Sequence, residues 1–130
     1  MDAERLRSIP LFDGLSRHER QQVAKWADEV DVEQGKHLVD QGEFPHEFFV
    51  IELGSADVLI DGEHIDTLGP GDFFGEIALL EHHRRTASVV ATSPLRAIVM
   101  HSRDFGAMEE TMPEVAERVR EAMRQRLAGR

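Results

Sequence analysis

Residues 73–89 read Phe73-Phe74-Gly75-Glu76-Ile77-Ala78-Leu79-Leu80-Glu81-His82-His83-Arg84-Arg85-Thr86-Ala87-Ser88-Val89. They combine side chains that could hold an anion beside a polyol. Gly75 opens a short run of helix formers, Gly75–Glu81. A glycine at a helix start leaves backbone N–H groups open and room for a ligand to approach. The partial positive charge of that terminus suits a phosphate. Arg85 returns at the far side of the helix and can offer paired donors to phosphate oxygens. Glu76 would repel a phosphate set directly against it, so its carboxylate fits better as an acceptor for ligand hydroxyls. The matching chemistry is that of a sugar phosphate. The plain alternative is a buried Glu76–Arg85 ion pair that fixes a bend. Arg84 could compete for the phosphate, but the spacing favours Arg85. No nucleophile or metal is positioned to attack a phosphate, and Thr86 has no evident base partner, so catalysis is not expected.

The elements that must carry these residues can be read from texture. Residues 2–9 suit a short first helix. Ser16 can cap a second, with Glu19 at the capping-box spacing, and Val23, Ala24, Trp26 and Ala27 supply its apolar side to about Ala27. From Glu29 to His101, short runs rich in Val, Ile, Leu and Phe alternate with turn residues. The runs are Val30–Val32, His37–Asp40, Glu47–Leu53, Ala56–Ile60, His64–Leu68, Thr86–Thr92 and Leu95–Met100. Asp61-Gly62 is a strong two-residue hairpin signal. No helix-length segment separates successive strands, so a sandwich or jelly roll is expected rather than a parallel sheet. Phe73 and Phe74 read as core. Ser102 can cap a helix over Arg103–Glu110, and Pro113 suits the first turn of another, Pro113–Leu127. Val115, Ala116, Val119, Met123 and Leu127 line one side of that last helix. Their stripe most simply covers the β core, with dimerisation through it as a second possibility.

Composition narrows the function classes. The chain has 130 residues, enough for one domain, and 41% are hydrophobic, which excludes wholesale disorder. It carries 15 Lys and Arg against 25 Asp and Glu, a net charge of −10. Such a surface repels phosphate backbones, so direct nucleic-acid binding is not expected. Between Asp28 and Glu81 there are 15 acids and one base, Lys36. An anionic ligand therefore needs a local positive pocket in a negative surface. Cysteine is absent, which excludes disulfides, thiol catalysis and cysteine-held metals. His82-His83 invites a metal reading, but adjacent side chains point apart and no other His or carboxylate spacing supports it. Met1-Asp2-Ala3-Glu4-Arg5 lacks the apolar stretch of a signal peptide, and no run suits a bilayer. A cytoplasmic location and no membrane association are expected.

Phe74-Gly75-Glu76-Ile77-Ala78-Leu79-Leu80 followed by Arg85-Thr86-Ala87-Ser88-Val89 resembles the phosphate-binding cassette of the cyclic nucleotide-binding domain. This is the cAMP/cGMP sensor module of catabolite activator proteins, protein kinase A regulatory subunits and cyclic-nucleotide-gated channels. The likeness extends over nearly the whole chain. Ile9-Pro10-Leu11-Phe12 with Leu15-Ser16 is similar to the family's N-terminal helices. Gln41-Gly42-Glu43, Phe48-Phe49-Val50-Ile51, Gly54 and Ala56 resemble its early strands, and Leu68-Gly69-Pro70-Gly71-Asp72 its approach to the cassette.

The resemblance implies an α+β, mainly β fold. It would be a double-stranded β-helix, or jelly-roll barrel, with N-terminal helices over 1–28, a β-roll over 29–101 containing the cassette at 74–89, and C-terminal helices over 102–130. It implies a ligand, cAMP or cGMP, with no cofactor and no metal. Glu76 would accept the ribose 2′-hydroxyl, Arg85 would pair with the cyclic phosphate, and N–H groups of Ala78 and Ala87 would complete the cradle. Gly75 would admit the ribose. Phe74, Ile77 and Leu79 belong to the same cassette. Thr86 is similar to a threonine that in some members helps cGMP bind. Val58 and Leu68 would line the base pocket. The last helix would act as a lid or hinge, signalling to an effector protein or a second copy. Here His82-His83-Arg84 fills a bend where many members carry small residues. Nothing in these 130 residues resembles a helix-turn-helix, kinase or channel domain, so a sensor without its output is expected. The competing expectation is a degenerate module of the same fold that mediates protein contacts and binds no nucleotide.

Overall fold

Asp61 and Gly62 take φ values of 52° and 79°, the paired positive angles that a tight hairpin turn demands. They join β4 (Ala56–Ile60) to β5 (Glu63–Leu68) in antiparallel pairing. In this computed structural model the described residues are 1–44, 46–75 and 84–128, without the side chains of 122, 123 and 126–128. The remaining strands are β1 (Ala27–Val32), β2 (His37–Val39), β3 (Glu47–Leu53), β6 (Phe73–Phe74), β7 (Ser88–Ala91) and β8 (Leu95–His101). They form two antiparallel four-stranded sheets, ordered β1-β8-β3-β6 and β2-β7-β4-β5. This is the expected jelly-roll architecture. Two 3-10 turns, Ala3–Ser8 and Pro10–Phe12, and α1 (Arg17–Ala24) precede the sheets. Helices α2 (Ser102–Thr111) and α3 (Pro113–Ala128) follow them.

The run Phe48-Phe49-Val50-Ile51 is apolar at every position because β3 is covered on both faces. Successive side chains of a strand alternate. Phe48 and Val50 join Ile98 and Met100 of β8 beneath the helices, in a core with Leu6, Phe12, Val23, Phe105, Met108, Val115 and Val119. Phe49 and Ile51 join Ala97 and Val99 in the second core, facing Ala56, Leu68 and Val89 of the other sheet. The molecule thus has three layers, helices, sheet and sheet. The described part of the last helix spends its apolar side, Val115, Ala116 and Val119, on the first core.

Three local expectations are corrected. Helix α1 ends at Ala24, and Ala27 instead opens β1 opposite Met100. Helical spacing and pairing to β8 both bury Ala27, and the sheet claims it. Ser102 is the first residue of α2 rather than its cap. His101 precedes the helix while still paired to Glu47 in the ladder, and the Ser102 N–H donates to the His46 carbonyl at 2.9 Å. Strand β6 was not visible in the sequence, because two residues carry no alternation to read. The capping box at Ser16 and Glu19 is present in both its bonds, at 2.9 and 3.1 Å.

Candidate functional site

Arg84 and Arg85 are neighbours that diverge. The Arg85 backbone is fixed from both sides by the β2–β3 loop. Its N–H donates to the Glu43 carbonyl at 2.8 Å, and its carbonyl accepts from the Gly42 N–H at 2.9 Å. With the main chain held so, the Arg85 side chain turns inward and is only 7% exposed. Its Nη2 donates to the Glu47 carbonyl, at the start of β3, at 2.7 Å. Arg84 turns outward. Its Nη1 donates to the Gly42 carbonyl at 2.9 Å, and its guanidinium lies 4.2 Å from the Phe44 ring centre. Arg84 therefore braces the loop that holds Arg85, and Arg85 rather than Arg84 lines the neighbouring cavity.

Gly75 follows β6 with φ at 79°. A Cβ built there would fall 2.6 Å from Arg85 Nη1 and 2.6 Å from the Glu47 carbonyl oxygen. Glycine is what lets the guanidinium lie flush against the backbone at this point. Phe74, one residue earlier, stacks on Phe49 with ring centres 4.9 Å apart, while Phe73 packs toward Phe48 at 5.7 Å.

These residues border a cavity of about 240 Å³ in front of the second sheet. That is just below the ~300–1,000 Å³ usual for small-molecule pockets. Gly75, Arg85, Thr86 and Ala87 form one end. Val39, Val58, Leu68, Phe73, Phe74 and Val89 form an apolar floor, and Ile60, Ile65 and Asp66 form the outer rim. Of the residues singled out in the sequence, Val58, Leu68, Phe74, Gly75, Arg85, Thr86 and Ala87 converge on this one cavity. Glu76, Ile77, Ala78 and Leu79 lie outside the described residues, as do Leu80, Glu81 and the His82-His83 bend. Val39, Ile60, Ile65, Asp66, Phe73 and Val89 also line it and were not anticipated. Strand alternation could have offered Ile60, two positions from Val58, and Val89, two from Ala87. A larger hollow of about 520 Å³ lies between Pro10–Leu15 and Arg118, Glu121 and Gln125 of α3. None of the described cassette residues lines it.

A buried cation at one end of an apolar cavity, in a chain of net charge −10, is a local positive pocket of the kind an anionic ligand needs. The rest of the surface would not attract that ligand.

Comparison with known proteins agrees with this geometry. Residues 29–111 match the family described as the cyclic nucleotide-binding domain. A cAMP-dependent protein kinase regulatory subunit from Colletotrichum orbiculare is 37% identical over 93 residues, covering 70% of this chain and 24% of the relative. This chain spans about a quarter of the length of the curated relatives it matches. A crystal structure described as a putative cyclic nucleotide-binding protein from Geobacter metallireducens has the same fold. Its TM-score is 0.89 at 18% identity, covering 100% of this chain and 98% of that one. The regulatory domain of Toxoplasma gondii protein kinase A, solved with cAMP, gives a TM-score of 0.76 at 25% identity, covering 95% of this chain and 48% of that one. Among the described residues no helix is long and apolar enough to cross a membrane. With its sequence match running from β1 through α2, its jelly-roll sheets and its inward arginine, the chain belongs to the cyclic nucleotide-binding domain family.

Proposed function

We propose that the cavity holds a cyclic nucleotide, cAMP or cGMP, and that the domain is a non-catalytic cytoplasmic sensor. The observation that carries this is Arg85: a guanidinium 7% exposed, seated against Gly75 at one end of a cavity whose floor is apolar. Its planar fork suits two oxygens of a cyclic phosphate. The Ala87 N–H and, outside the described residues, that of Ala78 would share the phosphate. Glu76 would accept the ribose 2′-hydroxyl, as the family resemblance implies. Val58 and Leu68 would face the base. A cAMP complex of a relative with this fold supports the ligand class.

Strand β6 supplies a route outward. Phe74 lines the cavity, and Phe73 beside it belongs to the core beneath the helices, with Phe105, Met108 and Val119. A ligand that draws β6 inward would shift α2 and α3, and an effector protein or a second copy would read that shift. The shift is limited by the ligand's preference for one arrangement over the other.

Thermal melting tests the reading. With cAMP or cGMP at about 100 times Kd the fold should gain about 2.7 kcal/mol. Arg85→Ala should remove most of that gain. No shift with either nucleotide at millimolar concentration would leave a degenerate module of the same fold. Product formation from cAMP in proportion to protein would contradict the non-catalytic assignment.

A further inference from the structure

The outer rim of the cavity carries a carboxylate, Asp66, two positions from Leu68 and so on the same face of β5. In the β4–β5 ladder Ala56 faces Leu68, Asp57 faces Thr67 and Val58 faces Asp66, but Leu59 faces His64. Ile65 has no partner, so the ladder bulges at Ile65-Asp66. A bulge sets two residues against one and re-aims their side chains. Directly opposed residues of an antiparallel pair share a face, so Asp66 stands on the face of Val58, which lines the cavity. Ile65, 54% exposed, reaches the same rim. The Asp66 carboxylate accepts the Thr67 N–H at 2.8 Å through Oδ1, and among the described residues it makes no other hydrogen bond.

The rim is remote from the cationic end. Val58 pairs with Val89 on one side and Asp66 on the other, which puts Asp66 two strand spacings from β7, about 10 Å. A nucleotide with its phosphate at Arg85 and its base over Val58 and Leu68 would bring the far edge of the base to Asp66. An ionised carboxylate only accepts hydrogen bonds. Adenine offers an amino donor at its 6-position, whereas guanine and hypoxanthine offer an oxygen acceptor there. We infer that Asp66 is a specificity-determining residue that favours a 6-amino purine over a 6-oxo purine, making this site selective for cAMP. This rests on the reading of the cavity as a cyclic-nucleotide site and sets Asp66 against Thr86, whose family likeness leaves cGMP open.

The test is the dissociation constant of the 130-residue chain for cAMP, cIMP and cGMP, measured by calorimetry. cIMP has the 6-oxo group without guanine's 2-amino group, so it isolates the 6-position. The chain should bind cAMP about tenfold more tightly than cIMP, the worth of one charge-assisted hydrogen bond at a half-open site. Asp66→Asn keeps the acceptor for Thr67 N–H and adds a donor for O6, and should bring the cAMP-to-cIMP ratio close to one. A wild-type ratio within twofold, or a ratio unchanged in Asp66→Asn, would overturn the inference while leaving the sensor reading intact. So would cGMP binding tenfold more tightly than cIMP and losing that margin in Asp66→Asn, because the carboxylate would then be reading the 2-amino group. Failure of all three nucleotides to bind would remove the sensor reading, and this inference with it.

Discussion

A methyl group on Gly75 would lie 2.6 Å from Arg85 Nη1 and equally close to the backbone oxygen of Glu47. The arginine could swing away, but the carbonyl sits in β3, paired across to β8. The φ of 79° at Gly75 adds a strain that an alanine would bear and glycine does not. Gly75→Ala is expected to destabilise the fold by about 2–3 kcal/mol, lowering Tm by roughly 10 °C. It should also displace the guanidinium. The variant's nucleotide-induced melting shift should therefore fall well below that of the wild type at the same ligand concentration. A full shift would mean that the arginine is not needed where it stands.

Arg85→Lys separates charge from shape. A lysine keeps the cation but loses the planar fork. Affinity for cAMP should fall roughly 10- to 100-fold, the worth of one charge-assisted hydrogen bond, without vanishing. Calorimetric titration reads this directly. Wild-type affinity in Arg85→Lys would show that only charge matters at this end of the cavity.

What could be read from residue order, and what could not, divides along physical lines. Strands β3 and β4 were legible to their end residues because dense apolar runs are bounded by turn formers, and Asp61-Gly62 announced its hairpin. The inward arginine was legible because the cassette motif is specific. Bulges were not. A one-residue slip such as that at Ile65 changes which face a side chain takes, and no local pattern marks it, so Ile65 beside Asp66 on one cavity rim could not be read from residue order. The outward turn of Arg84 was equally hidden, since it depends on Phe44 and Gly42, some forty positions away in the chain.

The β3–β8 ladder also carries a bulge. Ile51 faces Ala97 and Leu53 faces Arg96, leaving Glu52 unmatched. Its carboxylate takes the Arg5 Nε and Nη2 at 3.1 and 2.6 Å, while Arg5 Nη1 holds Glu29 at 2.5 Å. One arginine thus ties the N-terminal 3-10 turn to two strands. Glu29 has a second cation in Arg96, at 3.1 Å, whose own pKa is raised, chiefly by its hydrogen bond to Asp31. The Glu52 side chain is 13% exposed and loses both of these bonds if Arg5 is removed. Arg5→Met should cost about 1–2 kcal/mol in urea unfolding. Adding Glu52→Gln should recover part of that loss, because the uncompensated charge is then gone. Strict additivity of the two changes would argue that the pair is not coupled.

The capping box at α1 predicts a pH dependence whose sign can be worked out. The Glu19 carboxyl titrates below its ordinary 4.5, first because the Ser16 N–H donates to its charged form and then through Arg118, with burial opposing. A group whose folded pKa is depressed adds stability that is present above its unfolded pKa and lost as pH falls through the folded one. Glu19→Gln removes that titration yet can keep the box, since a glutamine also accepts from the N-cap amide. The stability difference between wild type and Glu19→Gln should therefore be level from pH 7 down to about 5.5, then shift against the wild type as pH falls further. Ser16→Ala, which removes the other half of the box, should cost about 1 kcal/mol at neutral pH. Urea midpoints taken in parallel at each pH cancel the other carboxylates, which all three proteins share. A difference that stays level down to pH 3 would mean that the Glu19 carboxyl gains nothing from its ionised form in the folded chain.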